Sequence, residues 1–176
     1  MITKDNNLRV MELIFKFPYR TFHIRELARL TGLSSTGIIK ITKKLKKERL
    51  LTAKKAKNIE EIKPDFYGRF LLIKRLYNIY SLYDSGLMDF IKAYYELPQA
   101  IILFGSYSNG TDTEKSDIDI AIITDKEYAS PDLSKFESKL ARSISVHLID
   151  ISKSEKEFKN SLANGIVLEG FVEIIK

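Results

Sequence analysis

The sequence predicts an α+β protein of two domains joined by a helical connector, and three observations carry that reading. Charge is unevenly distributed: residues 1–66 carry a net +9, residues 67–97 carry +1 and residues 98–176 carry −4. The first third has helical apolar spacing broken at Gly32, whereas the last half alternates short apolar runs with polar loops, as strands do. Between two such runs lies LFGSYSNGTDTEKSDIDIAII, residues 103–123, in which Gly105-Ser106 is followed after a polar loop by Asp117 and Asp119. Side chains two positions apart on a strand share a face, so the two carboxylates sit together and repel unless a cation lies between them.

Composition narrows the chemistry. At 44% hydrophobic and 30% charged the chain is globular rather than disordered. It has no cysteine and only His23 and His147, which excludes a disulfide framework, a thiolate zinc site and an imidazole cluster. Any metal must be held by oxygen, and a carboxylate pair suits Mg²⁺ (or Mn²⁺), which borrows further ligands from water and a substrate's phosphates. The amino-terminal residues MITKDNNLRV lack the apolar core of a signal peptide and no run is long enough to span a bilayer, so the expected location is the cytoplasm, with no membrane partner.

In chain order, a first helix is expected over roughly residues 7–17, contributing Val10, Leu13 and Ile14 to a core. Ile24, Leu27 and Ala28 mark a second helix face, Gly32 ends it, and Ser34 is placed to cap a third helix running to about Glu48. On that third helix Ile38, Thr42 and Leu45 fall on one side, while Thr36, Lys40, Lys43 and Lys47 line another. Leu50 to Thr52 and Ile59 to Ile62 read as two short strands whose connecting tip carries Lys54, Lys55 and Lys57. By this pattern residues 1–66 resemble the winged helix-turn-helix family. That resemblance implies that Ser35, Thr36 and Lys40 are candidate base or phosphate readers on double-stranded DNA, with Lys43, Lys44, Lys47, Lys54, Lys55 and Lys57 as phosphate contacts. The +9 charge points to DNA; the alternative is a protein-interaction module with solvated lysines.

Residues 67–97 form the connector. Phe70, Ile73, Tyr77 and Tyr80 make one apolar stripe, and Leu72, Leu76, Ile79 and Tyr83 make another, before a break at Asp84-Ser85-Gly86 and a further helix through Phe90, Ile91 and Tyr94. Two apolar faces need two covers. A second copy of the chain is the expected cover for one of them, giving a homodimer; the alternative is a purely intramolecular core.

From residue 98 the expected order is a strand (100–104), the loop, a strand (118–123), a helix near 132–140, a strand (144–149) and the closing segment NGIVLEGFVEII. Gly105-Ser106 followed at this spacing by Asp117-Ile118-Asp119, with strand-like flanks, resembles the DNA polymerase beta nucleotidyltransferase superfamily, and in particular its minimal members, across residues 98–176. The resemblance implies a small mixed sheet flanked by helices, in which Gly105 and Ser106 bind the phosphates of a nucleoside triphosphate. Asp117 and Asp119 would be the metal-binding catalytic carboxylates, and a nucleoside monophosphate would pass to a hydroxyl. For some members it also implies a nuclease partner that the domain modifies. The chain departs from the family at Val146-His147-Leu148, where members carry a third carboxylate. His147 could serve as a base but is a poor Mg²⁺ ligand. Two outcomes stand: an active transferase, or a domain that binds nucleotide or scaffolds without turnover in a DNA-binding regulator or antitoxin.

Overall fold

A computed structural model describes residues 5–56, 59–151, 160 and 162–172. Among these it is an α+β protein that divides into two compact units, Met1–Lys74 and Arg75–Lys176. No helix among the described residues is long and apolar enough to cross a membrane.

The first unit holds α1 (Asn6–Lys16), α2 (Ile24–Thr31), α3 (Ser35–Lys47) and an antiparallel hairpin of β1 (Leu51–Ala56) and β2 (Ile59–Pro64). Local chemistry sets the helix ends. Asp5 accepts from the Leu8 N–H, Gly32 turns the chain at φ 68, and the Ser34 hydroxyl accepts from the Gly37 N–H at 3.1 Å. Val10, Ile14, Phe22, Leu27, Ile38 and Ile62 are fully buried. Phe22 and Ile62 exchange main-chain hydrogen bonds of 2.9 and 2.8 Å, which draws the approach to α2 onto the hairpin. The buried Thr42 on α3 satisfies its hydroxyl by donating to the Ile38 carbonyl at 2.9 Å.

Helix α4 (Phe70–Ser85) contains the boundary between the units; α5 (Leu87–Tyr94) follows the break at Gly86, φ 84. The buried line along α4 is Phe70, Lys74, Asn78 and Leu82. The sequence reading gave two apolar stripes and singled out neither Lys74 nor Asn78; of the first stripe, Phe70 is buried. Ile73, Tyr77 and Tyr80 are half-buried, because polar Lys74 and Asn78 hold the interior places at helical spacing. On the second stripe Leu72 and Leu76 are each 54% exposed and Tyr83 is 40% exposed.

The second unit is organised by a four-stranded mixed sheet in the order β5-β4-β3-β6, made of β3 (Ala100–Phe104), β4 (Ile118–Ile123), β5 (Ile144–Ile149) and β6 (Ile166–Gly170). β3 is antiparallel to β4 and β6, and β4 runs parallel to β5. The short helix α6 (Gly105–Asn109) follows β3, and α7 (Ser134–Leu140) makes the crossover between the parallel pair. β3 and β4 are buried on both faces, which explains their nearly unbroken aliphatic sequences. Ile101, Leu103, Ile118, Ile120 and Ile122 join the larger core with Leu82, Leu87, Met88, Ile91 and Phe136. Ala100, Ile102, Ala121 and Ile123 face the other way, onto Leu162. Ile120→Ala should cost about 2 to 5 kcal/mol of stability, the usual loss for an aliphatic side chain deleted from a closed core; urea unfolding followed by circular dichroism checks this.

Candidate functional site

One end of the sheet brings the acidic residues and the glycine corner together. The antiparallel register pairs Phe104 with Asp119, so the next residue, Gly105, runs directly past the Asp119 carboxylate. A Cβ on Gly105 would stand 2.6 Å from Asp119 Oδ2, and the backbone there has φ 71; both facts demand glycine. The parallel register pairs Asp119 with Ser145 and Ala121 with His147, which places His147 on the same face as Asp119. The His147 ring meets the Phe104 ring edge-on, with centroids 5.5 Å apart. Asp117 immediately precedes β4 and is exposed, while Asp119 is partly buried.

The main chain turns tightly at the corner. Ser106 lies in the first turn of α6, the Thr111 N–H donates to the Ser106 carbonyl at 3.1 Å, and the Ser108 hydroxyl donates to the Gly105 carbonyl at 2.8 Å. The loop then passes Asp112, whose carboxylate is 1% exposed, and a turn in which the Thr113 N–H donates to the Ser116 hydroxyl at 3.0 Å. The structure therefore brings together Gly105, Ser106, Asp117, Asp119 and His147 at one end of the sheet. Sequence reasoning missed Phe104, whose ring lies against the imidazole, and the buried Asp112; an aromatic at a strand end and one more aspartate in a polar loop carry no signal of their own.

Burial pushes the Asp119 carboxyl above its ordinary value; the His147 charge pulls it back and the neighbouring Asp117 raises it further. The cluster is thus an acceptor-rich corner with a carboxylate that resists ionising. A hard cation would relieve that penalty, and an oxygen pair is a donor set that Mg²⁺ accepts. Among the described residues no group of three or more His, Asp or Glu side chains is arranged to hold a metal.

The basic surface is built by α3 and β1. With Ile38, Thr42 and Leu45 turned inward, Ser35, Thr36, Lys40, Lys43, Lys44 and Lys47 are all exposed, as are Lys54 and Lys55. Lys57 lies outside the described residues. Lys44 approaches Glu48 at 3.9 Å, a weak helical pair, whereas Lys46 is drawn to Glu60 at 2.5 Å and braces α3 against β2. Ile39, 52% exposed on α3 next to Lys40, was not anticipated; the Ile38-Ile39 doublet was the available hint, since only one of the two can face the core.

Residues 87–170 match the family model described as Polymerase beta, Nucleotidyltransferase. The matched segment runs from the first residue of α5 to the last of β6, and so contains the whole four-stranded sheet and every residue of the acidic corner. No curated protein and no solved structure matches the chain.

Because the folded-state pKa of Asp119 is raised, the folded chain binds that proton more tightly than the unfolded chain does. The carboxylate therefore weakens the fold once ionised, and the penalty fades as pH falls through its folded pKa. In chelator-containing buffer Asp119→Asn should be more stable than the parent at neutral pH, with the difference shrinking toward acid. Urea unfolding of both proteins across the acidic range reads this directly.

Proposed function

We propose that this protein is a DNA-binding regulator whose second unit holds a magnesium nucleoside triphosphate and transfers a nucleoside monophosphate to a hydroxyl acceptor. The observation that carries the nucleotide half is the approach of the Asp119 carboxylate to the bare Gly105 main chain, inside the segment that matches the nucleotidyltransferase family. Gly105 leaves room for a phosphate to reach the backbone, and the Ser106 hydroxyl supplies one more donor. Asp117 and Asp119 would hold the cation. When bound, Mg²⁺ or Mn²⁺ supplies charge neutralisation along the triphosphate and polarisation of the phosphoryl group. His147, its ring against Phe104, stands on the same face as Asp119 and would accept the acceptor's proton. By resemblance, the acceptor class includes a hydroxyl on a nuclease partner.

A second reading is favoured by a specific feature: the corner offers two carboxylates and an imidazole where family members carry a third carboxylate. In that reading the unit senses or scaffolds around nucleotide without turnover. Incubation with labelled triphosphates and cell extract separates the two, because only a transferase gives a labelled acceptor that Asp117→Asn abolishes. For binding itself, isothermal titration should show magnesium-dependent triphosphate affinity that is lost in Asp117→Asn and in Gly105→Ala, whose new Cβ would collide with Asp119.

For the first unit, α2, the turn at Gly32, α3 and the β1/β2 hairpin support a winged helix-turn-helix reading, with the exposed Ser35, Thr36 and Lys40 toward bases and the other lysines toward phosphates. The exposed Leu72, Leu76 and Tyr83 support a homodimer, which would present two such helices to paired half-sites. Duplex binding should weaken steeply with salt, and alanine at Lys43 or Lys47 should each reduce the log–log salt slope by roughly 1. Salt-independent binding would overturn the DNA reading, and a single chain on a two-fold symmetric duplex would overturn the dimer.

A further inference from the structure

The second unit buries a polar network that the nucleotide reading leaves without a role. Asn78 of α4 donates through Nδ2 to the Tyr107 carbonyl at 2.9 Å and to Asp112 Oδ1 at 2.8 Å. On its other oxygen Asp112 faces Arg142 Nη2 at 3.7 Å, with the Arg142 side chain 7% and the Asp112 side chain 1% exposed. Asn78 itself is 3% exposed. The Tyr107 hydroxyl is tied to Ser81 Oγ of the same α4 at 2.9 Å.

Two features indicate that this network is not present for stability alone. A buried ion pair is on average no more stabilising than well-packed apolar groups of the same volume. Here it is also incompletely satisfied by protein, since Arg142 Nε is buried with no hydrogen-bond partner among the described residues. Moreover, Arg142 follows Ala141, which sits at φ 52 in the left-handed region, an unfavourable backbone for a residue bearing a Cβ.

The connections lead to the acidic corner from two sides. Upstream of Asp117, the anchored Asp112 adjoins the Thr113–Ser116 turn, closed by the Ser116 N–H donating to the Thr113 carbonyl at 3.1 Å. Downstream, the Ile118 N–H donates at 2.9 Å to the carbonyl of Ser143, the residue after Arg142. Asp117 is thus held between two clamps, and both return to the Asp112–Arg142 pair. Arg142, Ser116 and Asp117 also line one shallow hollow of about 380 Å³. Through Tyr107 the same network grips the residue after Ser106.

We infer that Asn78, Asp112 and Arg142 are positioning residues that order the loop from Gly110 to Asp117 and set where the Asp117 carboxylate stands. The consequence for ligand rests on the nucleotide reading; the ordering of the loop does not. The test uses the full chain with both charges replaced by apolar groups, Asp112→Leu/Arg142→Met, which removes the network without leaving one buried charge unpaired. Hydrogen exchange should show the 111–117 amides losing protection by about tenfold or more, while the sheet amides stay protected. Magnesium-triphosphate affinity should fall by roughly 10 to 100-fold, as when a supporting residue behind a metal ligand is lost. Arg142→Lys, which keeps a cation, should recover part of both effects, and it serves as the test if the double variant does not fold.

Loop protection unchanged in a folded variant overturns the inference, as does loosening of the loop with no loss of affinity. If the parent chain binds no triphosphate, the nucleotide reading fails by itself, and loop exchange alone then decides this one.

Discussion

The register between β3 and β4 is the constraint on which the acidic corner depends. With Phe104 opposite Asp119, the chain leaving β3 has to pass the Asp119 carboxylate at a distance that tolerates no side chain, so the corner residue is Gly105. A slip of one residue would turn Asp119 into the aliphatic core and bring an isoleucine to the surface in its place. The apolar faces prevent the slip. Ile118, Ile120 and Ile122 fill the larger core while Ala121 and Ile123 fill the smaller one, so the burial of five side chains fixes the direction of one carboxylate.

The same packing that defines the corner makes ionisation of Asp119 costly, since burial raises its pKa. His147 moderates the penalty from the next strand, and its ring lies against Phe104, the residue paired with Asp119. Strand, glycine, carboxylate and imidazole thus follow from two registers, one antiparallel and one parallel.

The first unit solves a different problem with the same economy. Ser34 starts α3, three inward residues dock it, and the remaining faces are free to carry lysine. One of those lysines, Lys46, is recruited by Glu60 to hold the hairpin, which leaves the others to set the charge of the exposed surface. A helix can both pack and carry a charged surface because its period separates the two stripes around the axis.

The amino-acid order alone determined the elements whose signals are local. Ser34 and Gly32 bounded two helices, Gly86 divided α4 from α5, the aliphatic runs gave β3, β4 and β5, and Gly105-Ser106 with Asp117-x-Asp119 marked the corner. Each rests on a cap, a positive φ or a period that neighbours in sequence suffice to specify. Which face of α4 turns inward was decided only in three dimensions. Apolar counting gave two stripes and singled out neither polar residue, yet two of the interior places went to Lys74 and Asn78. Asn78 could be buried because Tyr107 and Asp112, distant in sequence, arrive to satisfy its amide. The same holds for Asp112 and Arg142. A buried polar side chain is stable only beside partners that the fold supplies, so no local pattern announces it.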